Sequence, residues 1–311
     1  METRRLRMLV ELSRLGSMRA VADTLGTTTS TVSQQIAALA SDMGTALIEP
    51  RGRLVQLTPQ GRRLAEHAVT ILAAVEAARH DLAPEGEPSG TLRVAGFATA
   101  IREQVLPIVT DLAGSHPRLR VLIREHEPAE ALRLLAEDAT DLALTYDYNL
   151  APATEDPALR ATALWTARWG LGVPARAGVR EGSTTLEVFA RFAGHDWIVN
   201  SRNTADETVI RTLASMAGFT PRITHQADSL DLVQGMITAN LGVGLLPVGT
   251  ATLPAVRLLP LAGPDVELRA YAVARQGRLD WPPLALVTGL LLRRPPVHPP
   301  SGAAAHGADG P

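Results

Sequence analysis

The residues best equipped for chemistry near the amino terminus form one short run. Thr28, Thr29, Ser30, Thr31, Ser33 and Gln34 place hydroxyls and an amide around Val32, Ile36 and Leu39, which recur at i, i+4 and i+7. That spacing predicts an α-helix with one buried face. Threonine and serine are mediocre helix formers, so a concentration of them on the outer face asks for a reason. With Val32 turned inward, Ser30 and Gln34 point almost directly away from the core, with Thr31 and Ser33 beside them. Short or flat side chains of this kind suit a helix that enters a DNA major groove. Hydroxyls bond base edges or phosphates, and a glutamine pairs bidentately with adenine. Thr28, as N-cap, aims free backbone N–H groups at a phosphate. The alternative is an ordinary solvated helix face.

Composition closes off other chemistries. The chain has no cysteine, which removes disulfides, thiolate metal sites and cysteine nucleophiles. All 30 basic residues are arginine, so phosphate loops and Schiff bases that need lysine are absent. The histidines at 67, 80, 116, 126, 195, 225, 298 and 306 show no metal-ligand spacing. Gly242-Val243-Gly244 begins like a dinucleotide loop, but Pro247 stands where its third glycine belongs. Neither catalysis nor a cofactor is expected. Glu11 and Arg14 interrupt the amino-terminal segment, against a signal peptide. The apolar run Leu284 to Leu292 is too short to span a membrane. A soluble, cytoplasmic chain without a membrane partner is expected.

The elements that must position these groups follow from the pattern. Residues 1 to 63 hold nine arginines against five acidic residues, in a chain of net charge −2 overall. A basic unit of this kind points to a polyanion. Leu6, Leu9 and Val10 mark a first helix, Gly16-Ser17 a stop and a cap, and Met18 to Leu25 a second helix. Gly26 supplies the turn to a third helix ending near Ser41, which makes a helix-turn-helix. Arg51-Gly52-Arg53 then tips a hairpin, a wing whose Arg51 and Arg53 lie along phosphates. Thr58-Pro59 starts a further helix, roughly 36 Å long. Its Leu64, Ala68, Ile71, Val75, Ala78 and Leu82 form a heptad seam suited to dimerisation. Pro84 to Gly90 reads as a hinge. From Thr91 short apolar strands alternate with helices, which predicts a mostly parallel sheet. Residues 295–311 read as a disordered tail.

In this order the pieces resemble a LysR-type transcriptional regulator, over nearly the whole chain. The resemblance is carried by Gly16-Ser17-Met18-Arg19-Ala20-Val21-Ala22, Thr28 to Ile36, Leu57-Thr58-Pro59-Gln60-Gly61 and Gly90-Thr91-Leu92-Arg93-Val94. It continues in Ala217-Gly218-Phe219-Thr220-Pro221 and Ala239-Asn240-Leu241-Gly242-Val243-Gly244-Leu245-Leu246-Pro247. Met18, Thr29-Ser30 and Gln34 depart from the family's usual residues and bear on base preference. The resemblance implies a multidomain chain. An all-α winged helix-turn-helix (1–58) and a linker helix with hinge (59–88) precede an α/β effector domain like a periplasmic binding protein. Subdomain I of that domain takes 89–161 and 266–294, and subdomain II takes 162–265. It further implies an effector, expected to be a small anionic metabolite, between the subdomains at Thr99, Ala100, Ser201, Asn203 and Thr204. The implied partners are a near-palindromic double-stranded DNA operator, a second copy through the linker helix, a dimer of such dimers, and RNA polymerase. A solute-binding protein, the nearest rival, would need an export signal and would lack the winged unit.

Replacing Gln34 by alanine is expected to cost about 1–3 kcal/mol on the specific operator and to relax one base position. Gel shifts with operator and random duplexes check this, and equal losses on both reject the base-reading role. Loss of Arg51 or Arg53 is expected to weaken every sequence alike and to lower the salt slope.

Overall fold

The computed structural model describes residues 2–51, 54–82, 87–154, 156–178 and 182–295. Gly52 and Arg53 of the wing tip, Pro84, Glu85 and Gly86 of the expected hinge, and the tail from 296 lie outside these described residues.

The amino-terminal unit is built from α1 (Thr3–Leu15), α2 (Met18–Leu25) and α3 (Thr29–Met43). The Ser17 hydroxyl caps α2 by accepting from the Ala20 N–H at 3.4 Å. Leu6, Leu9, Val21, Val32, Ile36 and Leu39 close the core between the three helices. Strands β1 (Ile48–Arg51) and β2 (Leu54–Leu57) pair antiparallel, with Arg51 opposite Leu54, and form the wing. The linker helix α4 (Pro59–Leu82) follows at once. The Thr58 hydroxyl accepts from the Gly61 N–H at 2.9 Å and donates to the Ala46 carbonyl at 2.8 Å. A Cβ on Gly61 would collide with the Leu47 carbonyl oxygen, so glycine is what lets the helix start this close to the wing. Along α4, Ala65, Ala68, Val69 and Ala73 are buried. Ile71 and Val75 are half-buried, Ala78 is exposed, and Leu82 is 87% exposed. Ala68, expected in the dimer seam, is therefore spent on the chain's own core, and the seam opens toward the carboxyl end of the helix.

The effector domain holds one curled sheet. Its strands are β3 (Gly90–Gly96), β4 (Leu119–Glu125), β5 (Leu142–Tyr148), β6 (Leu159–Pro174), β7 (Asp196–Val199), β8 (Arg222–Gln226), β9 (Val243–Pro247), β10 (Val256–Leu259) and β11 (Val266–Arg275). The order is β4-β3-β5-β11-β6-β9-β7-β8, with β10 also on β6. Strands are parallel at both ends of this order, within β4-β3-β5 and within β9-β7-β8. The middle is antiparallel, unlike the mostly parallel sheet expected, because β6 and β11 pass between the two lobes instead of returning through a helix. β6 pairs with β11 over Leu159–Trp169, then with β9 over Trp169–Gly172 and with β10 over Leu171–Pro174. The expected boundary at 161/162 falls inside this continuous strand.

Helices cover the lobes. α5 (Ala98–Ala100) runs through a π-turn at Ile101–Val105 into α6 (Leu106–Ser115), and α7 (Pro128–Ala136) follows β4. In the second lobe lie α8 (Thr185–Arg191), α9 (Ala205–Met216) and α10 (Leu230–Thr238), and α11 (Pro282–Arg293) closes the chain against the first lobe.

The end of the first lobe nearest the DNA-binding unit is held by charge. The Asp141 side chain, 1% exposed, accepts from Arg93 Nη2 at 2.7 Å, Arg93 Nε at 3.0 Å and the Arg93 N–H at 2.8 Å. Arg278 bonds the same carboxylate. Burial alone would push the Asp141 carboxyl up, but the hydrogen bonds from Arg93 and the charges of Arg278 and Arg93 outweigh it and hold it below the usual carboxylate range. Next to Arg278, Gly277 lies so close to α4 that a Cβ there would collide with the Thr70 side chain.

Asp141→Asn removes the buried carboxylate shared by Arg93 and Arg278 and leaves them Asp138 as their carboxylate partner. A loss of roughly 3–5 kcal/mol is expected, read in denaturant as a lower midpoint at an unchanged slope.

Candidate functional site

Helix α3 presents two faces of different chemistry. Val32, Ile36 and Leu39 are fully buried against the unit's core. Thr29, Ser30, Ser33 and Gln34 are exposed. Thr28 caps the helix, its hydroxyl accepting from the Thr31 N–H at 3.1 Å. The Thr28 and Thr31 hydroxyls also bond each other at 2.8 Å, and Thr31 is half-buried, so these two are engaged in the cap. Gln35 faces inward. It accepts from Arg5 Nε at 3.0 Å, while Arg5 Nη1 reaches Asp42 at 2.9 Å, and together they fasten α1 to α3. Arg51 sits on β1, and Arg53 lies outside the described residues.

A cavity of about 290 Å³ lies between the lobes of the effector domain, at the carboxyl ends of their parallel strands. Open α/β sheets bind ligands at this position. The first lobe contributes Phe97, Thr99 and Arg102 after β3, Glu125 and Glu127 after β4, and Tyr146 on β5. The second contributes Asn200 after β7, Pro247 at the end of β9, and Asp228, Ser229 and Asp231 around the start of α10. The shared strands supply Trp165, Ala167, Trp169 and Leu268. Of the residues expected at an effector, Thr99 lines the cavity. Ala100 is buried behind the wall, and Ser201 and Thr204 are exposed outside it. Asn203 is occupied locally, its N–H donating to Asn200 Oδ1 at 2.9 Å and its Oδ1 accepting from the Ala205 N–H at 3.1 Å. The sequence reading thus pointed to strand ends that border this cavity and named neither Glu127 nor the aromatic residues of its wall. One signal was available, since Trp165, Ala167 and Trp169 alternate along β6 and share one face.

Carboxylates dominate the electrostatics. Burial pushes the Glu127 carboxyl up, and the Tyr146 hydroxyl donates to its Oε2 at 2.8 Å. Asp206, behind the cavity, accepts from the Asn200 N–H at 2.6 Å and the Glu207 N–H at 2.9 Å. Burial nevertheless pushes its carboxyl up to about 6. Arg202 bridges the two lobes. Its Nε reaches Asp228 at 2.7 Å, and its Nη groups reach Glu125 at 3.2 Å and Glu130 at 3.5 Å. Among the described residues no group of His, Cys, Asp and Glu is placed to hold a metal ion. Nor is any helix among them long and apolar enough to cross a membrane.

Comparison with known proteins covers both units of the chain. Residues 3–62 match the bacterial regulatory helix-turn-helix protein family, lysR type, and residues 85–295 match the LysR substrate binding domain. The chain is 26% identical over 277 residues to the transcriptional dual regulator GltC of Bacillus subtilis, covering 86% of this chain and 88% of that one. It is 27% identical over 281 residues to a probable hydrogen peroxide-inducible genes activator of Mycobacterium avium, covering 88% and 84%. A full-length OxyR variant from Pseudomonas aeruginosa superposes with a TM-score of 0.71 at 17% identity, covering 94% and 93%. Fold and sites together define a DNA-binding transcriptional regulator with a carboxy-terminal substrate-binding domain. The chain belongs to the LysR family.

Asp206 gives a pH signature. The unfolded chain releases this proton near the ordinary aspartate value and the folded chain near 6, so between those values the folded state binds more protons and its stability falls as pH rises. Asp206→Asn removes that fall. Relative to the unsubstituted chain, its stability is expected to rise by about 1–2 kcal/mol between pH ~5 and ~7.5, read by denaturant unfolding.

Proposed function

We propose that the chain reads a near-palindromic operator as a dimer and changes its hold on transcription when a small molecule fills the cavity between the effector lobes. The observation that carries the DNA role is the outer face of α3. Ser30, Ser33 and Gln34 are exposed there, opposite a fully buried Val32, Ile36 and Leu39 stripe. In this reading those three and Thr29 meet bases. Thr28 and Thr31 shape the amino-terminal end that meets a phosphate, and Arg51 and Arg53 follow the backbone alongside. Two such units need a two-fold partner. The half-buried to exposed Ile71, Val75, Ala78 and Leu82 on α4 supply a face for one. A dimer of dimers and a contact with RNA polymerase extend the same reading. It makes the chain a binding protein and not an enzyme, and places it with the DNA in the cytoplasm.

The relatives include a protein named for induction by hydrogen peroxide. A thiol-based peroxide switch needs cysteine, and this chain has none. Reversible occupancy of the cavity, with Thr99 among its contacts, is therefore the signal this reading assigns.

Gel shifts with DNA flanking the chain's own gene test the DNA role, and absence of binding at low ionic strength rejects it. Val75→Glu with Leu82→Glu is expected to turn the dimer into a monomer by light scattering. Operator affinity should fall at least tenfold, roughly what is lost when two half-sites no longer act together. A dimer unaffected by both charges would remove α4 as the interface.

A further inference from the structure

We infer that the effector cavity takes an organic cation, an ammonium or guanidinium group on an apolar body, held between aromatic rings and the carboxylates of Glu127, Asp228 and Asp231. This inference rests on the reading of the cavity as the effector site, and it replaces the small anion expected from helix amino termini at the strand ends.

Three of those termini are engaged within the chain, while α5, only three residues long, has no side-chain cap. At α7, Glu127 and Glu130 form a reciprocal capping box. At α9, Asp206 takes the N–H groups of Asn200 and Glu207. At α10, Ser229 is the cap, with Asp228 before it and Asp231 in the first turn. At α7, α9 and α10 an incoming carboxylate would thus compete with the chain's own caps and face fixed negative charge.

The charge balance of the wall runs the same way. Glu125, Glu127, Asp228 and Asp231 line the cavity, against Arg102 alone among cations. Arg102 is bonded to Glu103 at 3.1 Å, and the nearby Arg202 is shared among Asp228, Glu125 and Glu130. Glu127 is 5% exposed and makes no direct ion pair among the described residues; its hydrogen-bond donors are the neutral Tyr146 hydroxyl and the Glu130 N–H, and the Arg202 charge reaches it without contact. A buried carboxylate beside a ligand-sized space, with no cation in direct contact, is a socket for one.

The rest of the wall is aromatic. Phe97 and Tyr146 pack edge to face at 4.9 Å, Trp165 lies 6.4 Å from Phe97, and Trp169 completes the set. Aromatic faces attract cations, and most strongly where water is excluded. The Trp169 indole N–H is buried and has no acceptor in the protein, so a ligand oxygen would find a donor there. No metal-holding cluster exists among the described residues, which leaves an organic cation. At about 290 Å³ the space suits a small amine.

The test titrates the full-length chain with phenylethylamine, agmatine and choline as cations, 2-phenylethanol as a neutral mimic, and 3-phenylpropionate and glutarate as anions. Tryptophan fluorescence and thermal shift are the readouts. At least one cation is expected to bind, with affinity reduced on the order of tenfold both by Glu127→Gln with Asp231→Asn and by Trp165→Phe. The anions and the neutral mimic are expected to leave both signals unchanged. Silence of every cation up to about 10 mM, well above even a weak Kd, overturns the inference. So does equal or tighter binding of 2-phenylethanol. An anion that binds, and weakens in Trp165→Phe, overturns the cation and keeps the cavity as the effector site. Cation binding unchanged in both variants removes the cavity. The regulatory reading fails separately, if a cation occupies the cavity yet leaves operator affinity and transcription from the operator as they were.

Discussion

Both effector lobes hang on one pair of antiparallel strands. β6 and β11 are hydrogen-bonded along Leu159–Trp169, and β6 then continues into the second lobe without a break. No loop or linker intervenes, so the lobes move relative to one another only by bending and twisting this ladder. A ladder is stiff along its strands and softer in twist. The cavity, whose wall contains Trp165, Trp169 and Leu268 of these strands, lies directly on the ladder that any closure of the cleft would strain.

This placement accounts for the odd chemistry of the wall. A carboxylate as buried as Glu127 is costly unless something offsets it. Here the capping box of α7 and the Tyr146 hydroxyl offset part of that cost. Arg202 offsets another part by joining Asp228 of one lobe to Glu125 and Glu130 of the other. Such a bridge favours the arrangement in which the lobes are close, and a cation competing for Asp228 would change how strongly they are held.

The fold was legible wherever a local rule decided it. Ser17 and Thr28 cap helices as their types suggest, and the 24-residue linker helix runs from Pro59 to Leu82 as its seam indicates. The direction of β6 and β11 was not legible, because an apolar run reads alike in parallel and antiparallel company. Site residues divided in the same way. Ser30 and Gln34 follow from the helical wheel alone. Asn203, expected at a ligand, has its N–H and Oδ1 engaged in its own turn while its side chain also reaches the Tyr146 hydroxyl of the cavity wall, an arrangement with no local signature. Glu127 and Asp231 read as ordinary helix-start acids, and their meeting across a cleft, between segments about a hundred residues apart in the chain, has no local signature.

The contact of Gly277 with Thr70 gives β11 a second office. This strand bears Leu268 at the cavity and ends at Arg275, immediately ahead of the glycine turn that lies against α4. From Leu268 to Arg275 is roughly 23 Å of extended backbone. A rigid rod therefore joins the chamber to the stalk of the DNA reader, with no compressible side chain at its tip. A lengthwise shift of the rod would press directly on the stalk, which makes leverage the mechanical question this contact raises.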